Sequence, residues 1–113
     1  MFVILWEFEV KPGCEKRFEN SYGPDGEWER LFRRDPHYRE THLLRDAVRK
    51  NRYLTLDAWD SREVYEKFQR ENREEYSALD ASFESITIRE RHVGSFVQIS
   101  TASASCRETG SEK

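Results

Sequence analysis

Tyr53-Leu54-Thr55-Leu56-Asp57-Ala58-Trp59-Asp60-Ser61-Arg62-Glu63-Val64-Tyr65-Glu66-Lys67-Phe68 reads as a strand, a tight turn and the start of a helix. Residues 53–59 are mostly β-formers and alternate in polarity. Asp60 or Ser61 suits the N-cap that follows, because a short side-chain oxygen satisfies free N–H groups of the first turn. Tyr65 and Phe68 recur at helical spacing, with Val64 beside them.

Working outward, residues 2–10 form a first strand. Its even positions, Phe2, Ile4, Trp6, Phe8 and Val10, are all apolar, whereas the odd positions Val3, Leu5, Glu7 and Glu9 are half apolar. A strand with one solvated face alternates more cleanly, so part of the second face is expected to be covered. Lys11-Pro12-Gly13 ends the strand, and residues 14–22 read as a helix with Phe18 and Tyr22 one turn apart. Gly23-Pro24-Asp25-Gly26 interrupts it before a short helix with Trp28, Leu31 and Phe32 on one side. Residues 37–46 form an irregular second strand, joined through the polar turn 47–52 to the third, as in a β-hairpin. On the third strand Leu54, Leu56 and Ala58 share one face and Tyr53, Thr55, Asp57 and Trp59 the other.

The helix from Ser61 is expected to reach about residue 76, followed by a piece carrying Leu79, Phe83 and Ile86, and by a last strand over 92–100. Residues 1–100 are read as the folded domain, and 101–113, rich in Ser, Thr and Glu without periodicity, as a disordered polar tail. The order βαββαβ is an α+β, ferredoxin-like arrangement with an antiparallel sheet. Right-handed crossovers place the first and third strands at its centre. Helices cover one face of such a sheet. The face left over is read as carrying Val3, Leu5, Tyr53 and Trp59, too apolar for water. A two-fold homodimer, sheet against sheet, covers it.

Composition narrows the function classes. The 113 residues carry 36% charged and 36% hydrophobic side chains, 13% aromatics and a net charge of −3. Acids and bases are interleaved, as in Glu71-Asn72-Arg73-Glu74-Glu75, so no basic stripe for nucleic acid exists. No apolar run reaches the ~18 residues that a membrane span needs. The first seven residues lack a basic region and cleavage site and read as strand rather than signal peptide. The two cysteines, Cys14 and Cys106, match no metal or redox spacing and read as free thiols of a reducing, cytoplasmic compartment. His37, His42 and His92 show no metal spacing, and no Gly-rich phosphate loop, nucleophile elbow or flavin fingerprint is present.

The element Trp59-Asp60-Ser61-Arg62-Glu63-Val64-Tyr65-Glu66-Lys67-Phe68 resembles the Trp-x-Ser-x-x-x-aromatic-x-x-aromatic pattern of the antibiotic biosynthesis monooxygenase (ABM) family. Val10-Lys11-Pro12-Gly13 is similar to the family's first turn, and residues 22–32 and 90–96 resemble one of its branches. The likeness spans residues 2–98 and rests on the order and spacing of several weak motifs. It implies a dimeric α/β barrel with a pocket between sheet and helices. It also implies activities such as cofactor-independent oxygenation of quinol- or anthrone-like molecules, oxidative haem breakdown, or signalling. The strand-one Asn and the helical His of haem-degrading members are missing. Trp6 and the segment Glu75-Tyr76-Ser77-Ala78 stand at the matching places, while Phe68 matches their helical aromatic, so haem breakdown is not expected.

Cofactor-free oxygenation asks for an apolar cleft, a base and a donor to the oxygen-derived anion. The expected lining is Trp6, Phe8, Phe18, Tyr22, Trp28, Phe32, Leu56 and Phe68. The two indoles among them also need somewhere for their N–H groups. The polar candidates are Tyr76, Asn72 and Asp57. Asp57 sits mid-strand, where a carboxylate faces a cavity, a base site, or a polar contact between subunits. Glu7 is expected to share its face, raising the pKa of one of the pair. The reading is therefore an ABM-type monooxygenase, homodimeric, acting without cofactor or metal on a small aromatic or quinol-like molecule. The alternatives are a non-catalytic dimeric binding or sensing domain and a purely structural dimerisation module.

Overall fold

The computed structural model describes residues 1–102. The chain runs β1 (Phe2–Val10), α1 (Glu15–Tyr22), α2 (Glu27–Phe32), β2 (Tyr38–Arg45), β3 (Arg52–Trp59), α3 (Arg62–Glu71), α4 (Arg73–Ser82), a 3-10 turn (Glu84–Ile86) and β4 (Thr87–Val97). The sheet is antiparallel throughout, in the order β2-β3-β1-β4, with the helices on one face. This is the α+β, ferredoxin-like fold, with the first and third strands central as the connection rules require. The expected disordered tail, 101–113, falls almost wholly outside the described residues.

Two local devices sharpen the design. Gly13 turns the chain after β1 with a φ of 92°, a left-handed conformation that costs a residue with a Cβ about 1 kcal/mol or more. Ser61 caps α3, its Oγ accepting from the Val64 N–H at 3.3 Å.

The register between β1 and β3 corrects the sequence reading of the faces. The even residues of β1 from 2 to 8 pair with odd residues of β3: Phe2 with Trp59, Ile4 with Asp57, Trp6 with Thr55 and Phe8 with Tyr53. Directly opposed residues share a face. Tyr53 and Trp59 therefore lie beneath the helices, at 1% and 0% exposure, not on the uncovered face. Trp59 packs against Phe32, Tyr38, Tyr65 and Phe68, and Tyr53 against Phe18. The uncovered face carries Val3 opposite Ala58 and Leu5 opposite Leu56, with Phe96 beside Val3. Charged residues continue this face beyond Leu5. Glu7 is held by Arg52 at 2.5 Å and by Arg91 at 2.8 Å, and Asp46 also binds Arg52.

Two boundaries move for stated reasons. The helix expected to run to residue 76 breaks at Asn72, whose Nδ2 donates to the Phe68 carbonyl at 3.0 Å and competes with the helical ladder. β4 begins at Thr87, five residues before the expected 92, because Arg89 and Arg91 belong to it. Both sit opposite acids of β1 and pair with them across the strands, so their polarity hides the start of the strand from a reading by apolar residues.

Candidate functional site

A cavity of about 130 Å³ lies between the sheet and the helices. β1 supplies its apolar floor through Ile4, Trp6 and Phe8, and β3 supplies Thr55 and Asp57. Tyr22, Trp28 and Phe32 close it from α1 and α2, and Tyr65, Tyr76 and Asp80 from α3 and α4. Thr41 of β2 and Glu90 of β4 complete the wall. The aromatic rings brace one another. Trp28 stands edge-on to Tyr76 with centroids 5.0 Å apart, and 5.8 Å from both Tyr22 and Phe32.

Asp57 is the most enclosed carboxylate of the wall. The Thr41 hydroxyl donates to its Oδ1 at 2.7 Å. Thr41 has one proton and gives it to Asp57, so the Tyr38 hydroxyl, 2.5 Å from Thr41 Oγ1, is the donor to Thr41. The result is a directed chain from Tyr38 through Thr41 to Asp57. Burial pushes the Asp57 carboxyl up to about 6, against a smaller downward pull from Thr41. Burial also lifts Tyr38, to about 12, so it stays a protonated donor at neutral pH. Burial lifts the Tyr22, Tyr65 and Tyr76 hydroxyls as well, so all three carry their protons. The Trp28 Nε1–H is buried in the cavity wall without a hydrogen-bond partner.

The structure sorts the residues expected at the site. Trp6, Phe8, Tyr22, Trp28, Phe32, Asp57 and Tyr76 come together around the cavity. Phe18 and Phe68 stand behind it. Phe18 stacks on Tyr22 at 4.2 Å, and Phe68 packs on Trp59 and Phe32. Leu56 lies on the uncovered face with Val3, Leu5 and Ala58, because the register gives it the opposite parity from Asp57. Asn72 spends its side chain on the α3–α4 break and lies by His37 and Lys67, away from the cavity. Glu7 does not share the face of Asp57, and its arginine partners pull its pKa down rather than up. Thr41, Thr55, Tyr65, Asp80 and Glu90 were not anticipated. Asp80 follows Tyr76 by one helical turn and Glu90 pairs with Phe8, so each is legible once those neighbours are placed.

Comparison with known proteins bears on this geometry. The family described as antibiotic biosynthesis monooxygenase matches over residues 1–79. The chain belongs to that family. No protein with a curated description matches this ABM protein. Its fold resembles that of SnoaB from Streptomyces nogalater, which is described as a cofactor-independent oxygenase, with a TM-score of 0.72 at 18% identity over 88% of this chain and 94% of that one. A Deinococcus radiodurans protein assigned to the antibiotic biosynthesis monooxygenases superposes with a TM-score of 0.72 at 6% identity, covering 91% and 97% of the two chains. A NIPSNAP domain protein from Burkholderia xenovorans reaches 0.66 at 13% identity, covering 91% and 99%. At these identities the likeness is one of fold. Function in this ABM chain has to be argued from its own cavity.

Proposed function

We propose that this ABM protein oxidises a small aromatic or quinol-like molecule in the cavity, using dioxygen and no added cofactor. The observation that carries the reading is Asp57. A carboxylate with a pKa of about 6 is mostly ionised at neutral pH yet remains a competent base, and it lines an aromatic-walled cleft. Asp57 takes the proton from a phenolic or activated C–H group. The resulting anion passes an electron to dioxygen, the radical pair combines to a peroxide, and loss of water leaves the carbonyl. Overall, a CH2 group and O2 become C=O and water. Tyr22, Tyr65, Tyr76 and the unpartnered Trp28 N–H are the donors available to the peroxide anion. The description of SnoaB as a cofactor-independent oxygenase supports the same class.

The uncovered face supports a two-fold dimer as part of this reading. Leu5 and Leu56, both half-buried, lie beside the buried Val3 and Ala58, and next to them Phe96 is 50% exposed. Cys14, a free thiol packed against the core, fits a reducing cytoplasmic setting.

One observation favours the non-catalytic binding or sensing alternative. A cavity near 130 Å³ holds one aromatic ring with little space for dioxygen beside it. Oxygen consumption by the purified protein with a panel of single-ring quinols and phenols separates the two. Uptake that Asp57→Asn abolishes supports oxidation. Saturable binding with no uptake from any member of the panel would move the assignment to sensing.

A further inference from the structure

Three carboxylates border the cavity, from Asp57, Asp80 and Glu90, and no Lys, Arg or His does. None of the three has an ion-pair partner among the described residues. Glu7, Asp46 and Asp60, by contrast, are each held by arginine. A chain with 19 Lys and Arg has cations enough to neutralise this wall and spends them elsewhere. The negative charge is graded: Asp57 is enclosed, Asp80 half-buried and Glu90 exposed at the rim. The remaining wall presents π-faces and edges of Trp6, Tyr22, Trp28, Phe32, Tyr65 and Tyr76.

Uncompensated acids around a cavity raise the local concentration of cations and repel anions. Among the described residues no group of three or more ligating side chains converges closely enough to hold a metal ion. Dispersed carboxylates among aromatic rings suit a larger, weakly hydrated organic cation, which draws on ring quadrupoles as well as on charge. The volume limits its size, since a cavity of about 150 Å³ accommodates benzene and this one measures about 130 Å³.

We infer that the cavity selects an organic cation: a single-ring aromatic amine whose ring enters the aromatic box while its ammonium group is held by Asp80 and Glu90 at the mouth. This rests on the reading of the cavity as a site for a small aromatic molecule and narrows it to one charge class. An acidic aromatic of the same size is excluded by the same carboxylates. With the ammonium at the mouth, the ring substituent at the other end faces Asp57.

Three probes of matched size test it: tyramine, 4-ethylphenol and 4-hydroxyphenylacetate, which share the phenol and differ in charge. Each is titrated into the full-length protein at low salt and followed by tryptophan fluorescence. The expected order is tyramine tightest, 4-ethylphenol at least tenfold weaker and 4-hydroxyphenylacetate weakest. The tyramine preference should shrink as salt is raised, because the mouth carboxylates are open to solvent. Asp80→Asn with Glu90→Gln should remove the preference, bringing tyramine and 4-ethylphenol to within about twofold of each other. A far-ultraviolet spectrum checks that this double variant remains folded. Equal binding of all three probes, or tighter binding of the acid, overturns the charge selection and leaves the aromatic site intact. Binding of none of them, with wild-type protein folded, overturns the charge selection and the small-aromatic reading together.

Discussion

Thr41 and Asp57 face each other across the β2–β3 pair, and the hydroxyl of one donates to the carboxylate of the other at 2.7 Å beneath the helices. Two adjacent strands thus hold a carboxylate at a fixed angle on the floor of an aromatic cavity, in reach of one donor. A lone donor is too little to repay desolvation, so the acid is poised near neutrality instead of being strongly ionised.

Asp57 should make the protein less stable as pH rises. Its folded pKa, about 6, exceeds the ordinary 3.8, so between these values the folded state binds more protons than the unfolded state. Stability therefore falls through that window, and the full cost, on the order of 2–3 kcal/mol, is present above it. Asp57→Asn removes the ionisation. The variant should be more stable than wild type at pH 7.5, with the advantage largely gone at pH 4, while oxidation is lost. Thermal unfolding at the two pH values is the check, and an equal shift at both would show that Asp57 does not titrate as described.

Thr41→Val keeps the shape and deletes the donor to Asp57. Without it the carboxyl moves further up, by about one unit for a hydrogen bond to a charged group. The acidic limb of the rate–pH profile should move to higher pH by a similar amount. A profile that loses height but keeps its midpoint would separate Thr41 from the titration.

The sequence disclosed the element types, their order and the central strands because hydrophobic periods of two and of about 3.6 residues are local signals. It did not disclose which face of β3 meets the helices. That depends on the parity of a long-range register, and Leu54, Leu56 and Ala58 are as apolar as Tyr53 and Trp59. One parity error moved Tyr53 and Trp59 out of the core, and the pairing that corrects it also sends Leu56 out of the cavity. Asp57 is legible as a carboxylate in a strand of β-formers, and Tyr76 only as an aromatic among the charged residues of its helix. Asp80 and Glu90 resemble solvated charges until α4 and β4 are folded against Trp28 and Phe8.

Leu5→Glu tests the uncovered face. Leu5 lies mid-patch, opposite Leu56 and Gly94. If two sheets meet there, an unpaired carboxylate in the interface costs several kcal/mol. Light scattering at micromolar concentration should show a dimer for wild type and a monomer or unfolded chain for the variant. A wild-type monomer would remove the dimer.

Phe18→Ala separates support from lining. Phe18 is fully buried between Phe8, Tyr22 and Tyr53. Its truncation should cost about 3–5 kcal/mol of stability, as for large core aromatics. Ligand affinity, measured on the fraction that remains folded in the cold, should fall far less. A large affinity loss at unchanged stability would return Phe18 to the cavity wall.

Asn72 and Tyr76 lie one helical turn apart and should behave in opposite ways. The Asn72 side chain bonds the Phe68 carbonyl at the helix break, so Asn72→Ala should lower stability by about 1 kcal/mol and leave turnover intact. Tyr76 braces Trp28 edge-on and presents its hydroxyl in the cavity wall. Tyr76→Phe retains the ring, so folding and KM should hold while kcat falls by about a hundredfold, the effect of deleting one donor to a developing anion. Steady-state oxygen uptake and thermal unfolding of both variants decide the matter. A turnover defect in Asn72→Ala with normal stability would mean that the break at residue 72 opens in solution and exposes its amide to the substrate.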